Sequence, residues 1–215
     1  MTGAGEWRRL SDMATSATRR PGRPAGGQLT VDRERVLDAA ERVIARVGAG
    51  VSIEAIALEA GVTKPIVYDR VGSRSELADA LAERLADRMV VAAGDALTSE
   101  PISERTLVRF IEANLVTVRE HRELFLYVTG GSTEQTALGR LKVAERSIDP
   151  MTLAIRTWRS SFGADPVVAD TWAAAVVGAL QMVAIWWTAQ SERTAQEIAE
   201  QVADLLWNGL PGRTG

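Results

Sequence analysis

Between Ser52 and Val71 the chain reads SIEAIALEAGVTKPIVYDRV, two short runs with helical apolar spacing separated by a glycine. Ser52 suits an N-cap, because its hydroxyl can take a free amide of the first turn. Ile53, Ile56, Ala57 and Ala60 then fall on one helical face, and Gly61 supplies the left-handed stop. Thr63 is expected to cap a second short helix, with Pro65 tolerated in its first turn, where a missing N–H loses no intrahelical bond. The turn Ala60-Gly61-Val62-Thr63 is too tight for antiparallel packing, so the two helices must cross steeply, as in a helix-turn-helix. Val62, Val67 and Val71 are expected to point inward, leaving Lys64, Pro65, Ile66, Tyr68 and Arg70 outward. A solvated helix seldom puts Pro, Ile and Tyr on its open side. A helix that enters the major groove does so, because Lys and Arg meet base edges or phosphates and apolar groups meet thymine methyls. Helix N-termini at Ser52, Thr63 and Arg74 would offer N–H groups to phosphates. The plainer alternative is a helical hairpin with no role on DNA.

Working outward, Thr30 is expected to cap a helix that runs to about Val47, with Val36, Leu37, Ala40, Val43, Ile44 and Val47 on one stripe and Gly48 as its stop. Downstream, Ser73-Arg74-Ser75-Glu76 has capping-box spacing and opens a longer helix with Leu77, Leu81, Leu85 and Met89 inward. Gly94 and Pro101 predict a break. Helices follow over about 102–120, 121–130, 136–162, 166–190 and 194–208, interrupted near Gly130-Gly131, Gly163 and Ser191. Strand-like alternation and internal repeats are absent. The predicted fold class is all-α.

Composition narrows the chemistry. The chain has 215 residues, 46% hydrophobic and 25% charged, ordinary for a soluble globular protein. It has no cysteine, which removes disulfides, cysteine-ligated zinc, iron–sulfur clusters and thiol catalysis together. His121 is the only histidine, so a histidine-cluster metal site is excluded; flanked by Arg119, Glu120, Arg122 and Glu123, it reads as an exposed helix junction. No phosphate-binding glycine loop follows a strand, and no catalytic triad can be built without committing that one histidine. No cofactor, metal or enzymatic activity is expected. Net charge is −3, yet residues 1–30 hold Arg8, Arg9, Arg19, Arg20 and Arg23 against Glu6 and Asp12, a basic arm on an acidic body. Met1–Gly27 lacks an apolar secretory core, so a cytoplasmic location is expected. Residues 171–191 carry no charge; with Gln181 near the middle and Asp170 and Glu192 as flanks, they read as a helix buried on all sides in a core or dimer interface rather than a membrane span.

The string Ile56-Ala57, Ala60-Gly61-Val62-Thr63-Lys64-Pro65, Val67-Tyr68, Val71, Ser73-Arg74 and Glu76-Leu77 resembles the signature of the TetR family of transcriptional regulators. The resemblance spans roughly residues 30–90. It implies that Lys64, Pro65 and Ile66 fall where the family touches bases, and that Tyr68 and Arg70 contact backbone or bases. Arg74 falls at the phosphate-binding start of the fourth helix, where the family usually has Lys. Ser52 and Thr63 complete the expected DNA face. Two positions depart: Val71 replaces a usual aromatic, and Asp69 is acidic, free to face solvent, pair with Arg70 or accept from a cytosine amino group. Arg19-Arg20-Pro21-Gly22-Arg23-Pro24 resembles a minor-groove hook, with Arg20 and Arg23 as its candidates; a solvated linker is the other reading.

The resemblance further implies a C-terminal helical domain that encloses a ligand cavity and pairs its last two helices with a partner's. Trp172, Val176, Leu180, Val183 and Trp187 on one helix, with Val202 and Leu206 on the last, are the expected dimer interface. Phe110, Tyr127, Trp158 and Trp186 are candidate pocket residues for an apolar small-molecule effector, although aromatics at helical spacing also fill cores. The expected organisation is a basic arm at 1–28, a DNA-binding domain at 29–91 and a ligand-binding and dimerisation domain at 92–215. The expected function is a homodimeric, ligand-released repressor on a palindromic double-stranded DNA operator, with no membrane partner. An all-α ligand carrier or interaction protein without DNA binding is the alternative.

Overall fold

Helical spacing of apolar residues is realised almost everywhere the sequence shows it. The computed structural model describes residues 31–98, 102–130, 134–190 and 192–209, and among these there is no strand. The expectations for residues 1–30, Arg20, Arg23 and the Thr30 cap included, lie outside the described residues.

The first helix, α1 (Arg33–Val47), is capped by Asp32, whose side chain accepts from the Arg35 amide at 2.9 Å. It buries Val36, Leu37, Ala40, Val43 and Ile44, and Gly48 closes it; Val47, expected on the inner stripe, is exposed. A single 3-10 turn, Gly48–Gly50, leads to α2 (Ile53–Ala60) and α3 (Lys64–Val71). The central helix α4 (Arg74–Thr98) begins on the expected capping box: Ser73 N donates to Glu76 Oε2 at 2.7 Å and Glu76 N to Ser73 Oγ at 3.2 Å. Leu77, Leu81 and Leu85 are fully buried.

The break expected at Gly94 does not occur, because α4 runs through it to Thr98. A mid-helix glycine costs about 1 kcal/mol relative to alanine, and the flanking Ala93 and Ala96 are buried in the core, which outweighs that cost. The expected boundary at residue 91 therefore falls inside a continuous helix.

Beyond α4 come α5 (Glu104–Glu120), α6 (Arg122–Thr129), α7 (Glu134–Ser161), a 3-10 turn (Pro166–Val168), α8 (Ala169–Gln190) and α9 (Ala195–Asn208). Ser103 and Thr194 open α5 and α9 with capping boxes. α4 packs against α7 and α5 and also meets α1, α3 and α6, so one apolar core runs through both halves. Gly139 lets α7 lie directly on the end of α6: a Cβ there would stand 2.0 Å from the Val128 carbonyl oxygen.

Charge divides α4 lengthwise. Toward α1 it presents Arg84 to Glu34, to Asp38 at 2.8 Å and to Glu41 at 3.2 Å, with Arg88 on Glu41 at 2.7 Å. Burial works against the Arg84 charge, but the three carboxylates outweigh it and hold its pKa above the ordinary value. Toward α7 the signs reverse: Asp79 meets Lys142 at 3.2 Å and Asp87 meets Arg146 at 2.7 Å.

Within the protomer, the helix of 171–191 is not buried on all sides, which leaves the dimer-interface alternative open. Pro166–Ala189 is long and apolar enough to cross a bilayer by length and composition, but only 28% of its most apolar window is buried. Ala173, Val177, Ala184 and Trp187 face inward, while Trp172, Ala175, Met182 and Trp186 form an open stripe.

Candidate nucleic-acid interface

Two buried valines orient α3. Val67 and Val71 pack into the core with Ile53, Ile56 and Ala57 of α2, and Val62 packs against them partly buried. Gly61, at φ 71° and ψ 33°, takes the left-handed conformation that turns α2 into the crossing, and its N–H reaches back to Leu58 O at 3.2 Å. On the other side of α2, Glu59 accepts from Arg42 Nε at 2.7 Å and Arg46 Nη2 at 2.6 Å, which ties α2 to α1 and holds the Glu59 carboxyl below its ordinary pKa.

With its inner face so fixed, α3 turns Thr63, Lys64, Pro65, Ile66, Tyr68, Asp69 and Arg70 to the outside. Tyr68 is 46% exposed and Ile66 39%, an uncommon state for such side chains on a helix anchored this firmly. The cations of this face already have partners. Lys64 pairs with Glu54 in the first turn of α2; that hydrogen bond lowers the Glu54 pKa and raises that of Lys64. Arg70 Nη1 lies 3.0 Å from Asp69 Oδ2, and Arg70 Nε donates to Val31 O at 2.9 Å. Of the alternatives for Asp69, two hold together: it pairs with Arg70 and faces solvent.

Three placements differ from the sequence reading. Ser52 caps α2 through the Ala55 amide at 3.1 Å, as expected, but the Thr63 hydroxyl makes no cap bond. The reason is local: Pro65 has no N–H to give, and the Ile66 amide already donates to Thr63 O at 3.0 Å. Arg74, expected at phosphate, folds back so that Nη2 donates to Val51 O at 2.9 Å. Arg74 also bonds Tyr127, whose pKa burial raises and the arginine draws back down. Tyr127 is thus tied to the root of α4.

The other candidate pocket residues are dispersed. Phe110 is buried in the core, Trp158 meets Phe162 edge-on and Trp207 at a tilt with ring centroids 5.1 and 5.7 Å away, and Trp186 is 44% exposed. Of the expected dimer residues, Trp172 is exposed and Val176, Leu180, Val183 and Leu206 are half-buried. Trp187 and Val202 are instead in the protomer's own core, and Trp187 Nε1 donates to Arg193 O at 2.8 Å. His121 sits at the α5–α6 junction as expected but is half-buried rather than exposed, lining a cleft of about 450 Å³ against Glu41, Arg42 and Ala45 of α1. Sequence reasoning missed Glu54 and the Arg84 cluster. The latter had a signal, since Glu34, Asp38 and Glu41 recur at helical spacing on α1 and Arg84 and Arg88 match them on α4.

Residues 36–81, the segment that contains this crossing, match the family model for bacterial regulatory proteins of the tetR family. That segment is similar to the bacterial regulatory proteins of the tetR family. An uncharacterized HTH-type regulator of Mycobacterium tuberculosis is 24% identical to this chain over 182 residues, 84% of this chain and 77% of that one. A TetR-like regulator from Rhodococcus sp. RHA1 has a solved structure with TM-score 0.57 and 28% identity, covering 84% of this chain and 97% of its own. FadR from Bacillus subtilis, solved in complex with stearoyl-CoA, shares the fold at TM-score 0.64 and 14% identity, covering 82% of this chain and 98% of its own. The TetR-family fold, a helix-turn-helix at the N-terminal end and a helical C-terminal domain, is thus that of this chain.

Proposed function

We propose that this chain is a TetR-family regulator: a homodimeric repressor whose two α3 helices enter successive major grooves of a palindromic operator, and which lets go when an apolar ligand binds. The observation that carries the reading is the outward Lys64-Pro65-Ile66-Tyr68 face on a helix held from behind by Val67 and Val71. Lys64, Pro65, Ile66 and Arg70 are proposed to meet bases, Tyr68 a phosphate, and Ser52 and Thr63 the flanking backbone. Arg74, held by Val51 O through Nη2, is proposed to offer its remaining N–H groups to phosphate. The basic arm at 1–28, with Arg20 and Arg23, would add minor-groove contact.

One such helix makes few base contacts, which favours two-fold pairing with half-sites about 34–36 Å apart. The open stripe of Trp172, Ala175, Met182 and Trp186 on α8 supports a partner there. Residues 29–91 would read DNA and 92–215 would dimerise and bind ligand, with α4 shared between them. A long acyl chain is the ligand class we favour, since a regulator of this fold holds stearoyl-CoA. Binding shifts the balance between DNA-holding and released spacings only by the ligand's differential affinity for the two.

Selection of bound fragments from random double-stranded DNA, followed by a salt titration, tests the reading. Enrichment of a palindrome and affinity that falls steeply with salt are expected. Retention of no duplex at low ionic strength would leave a ligand carrier in its place.

A further inference from the structure

The helix-turn-helix has as many acids as bases. From Ser52 to Ser75 the cations are Lys64, Arg70 and Arg74, and the acids are Glu54, Glu59 and Asp69. Glu59 is turned to α1 and engaged there by Arg42 and Arg46. Glu54 and Asp69 are different, because their side chains are 62% and 67% exposed and each holds a cation of the outward face. An ion pair this open to water contributes little to folding, and the burial of Val67 and Val71 positions α3 without it.

What such pairs do change is the charge a duplex meets. The sequence-independent share of DNA affinity comes from cations that neutralise phosphates and release counterions. Here Lys64 and Arg70 each arrive with a carboxylate attached, so a phosphate that meets either must break the pair and then tolerate the carboxylate left beside it. Pro65 and Ile66 carry no such cost on their contacts with bases. A partner is then favoured only if its base edges hold Lys64 and Arg70 better than Glu54 and Asp69 do, which is discrimination by an unfavourable element against the wrong partner.

On the DNA-binding reading above, we propose that Glu54 and Asp69 are specificity-determining residues: by pairing Lys64 and Arg70 they suppress binding to duplexes of unrelated sequence. The test compares the full chain with Glu54→Gln, Asp69→Asn and the double variant, on the duplex selected by the wild type and on an unrelated duplex, across a salt series. For the unrelated duplex each variant is expected to bind several-fold tighter, with the log–log salt slope steeper by about 0.9 for each further phosphate neutralised. Affinity for the selected duplex is expected to rise less, so the ratio of the two falls. Unchanged slopes on the unrelated duplex, or a loss of affinity for both duplexes, would overturn the proposal. So would the same steepening from Glu200→Gln, an equal charge change on α9, because the effect would then belong to net charge alone. Circular dichroism checks that each amide variant is folded, and the two sites report independently of one another. Failure of the wild type to hold any duplex is a separate result, which removes the DNA reading before the variants are compared.

Discussion

A hydroxyl and an ammonium carry the outward face of α3, and they fail differently. Tyr68→Phe keeps the exposed ring and deletes only the group proposed to bond phosphate, so it should weaken all duplexes alike. Lys64→Ala removes a cation and leaves Glu54 alone before the phosphates, so it should cost more. Both losses should fall within about 1–3 kcal/mol of operator binding, measured by fluorescence anisotropy; wild-type binding by both variants would count against the assignment. At the root of α4, the Ser73 amide bonds the Glu76 carboxylate and draws its pKa below the ordinary 4.5. A lowered folded-state pKa means stability that is fully present above the ordinary value and fades as pH falls through the lowered one. The gap in urea midpoint between wild type and Glu76→Gln should therefore be widest at neutral pH and narrow as the carboxylate is protonated below the ordinary 4.5; a gap that stays constant through acid titration would exclude the cap as its source. Single residues were unevenly legible. Ser52, Ser73 and Glu76 could be read because a cap is a matter of spacing along the chain. Thr63 misled because Pro65 and Ile66 leave no amide for it to take, and the fold-back of Arg74 depends on Val51 and Tyr127, which only the tertiary structure brings close.

Elements were legible wherever periodicity and caps agreed, and most ends fall within about two residues of the reading. α4 was the exception, because the glycine signal at Gly94 is local whereas the burial of Ala93 and Ala96 depends on neighbours distant in sequence. That contrast can be measured. Gly94 lies in a helix interior with nothing within 4 Å of an added Cβ, so Gly94→Ala should stabilise by about 0.5–1 kcal/mol. Gly139→Ala has the same helical gain but meets the Val128 carbonyl, a backbone atom that cannot rotate away, and should lose about 1–3 kcal/mol. Thermal melts of the two should move in opposite directions. A shared direction would mean that α7 does not press on α6 as described.

For the whole molecule, the half-open α8 is the feature that periodicity could not foresee, since an alanine-rich, charge-free helix looks the same whether its second face meets its own chain or another. Trp186→Glu puts a charge on the open stripe without disturbing Trp187 and Ala184 beneath it, and should convert the dimer proposed here to monomers in light scattering, with helicity retained. An unchanged mass would move the partner surface elsewhere. The two flanks of α4 differ in more than sign. On the α1 side, Arg84 and Glu41 are shielded, with side chains 20% and 19% exposed, whereas Arg146 and Asp87 on the α7 side stand in water at 60% and 54%. Ions screen contacts in open water far more than sheltered ones. As ionic strength climbs, the open Arg146–Asp87 contact between α7 and α4 fades before the sheltered Arg84–Glu41 contact between α4 and α1, so added salt loosens one flank of the helix ahead of the other.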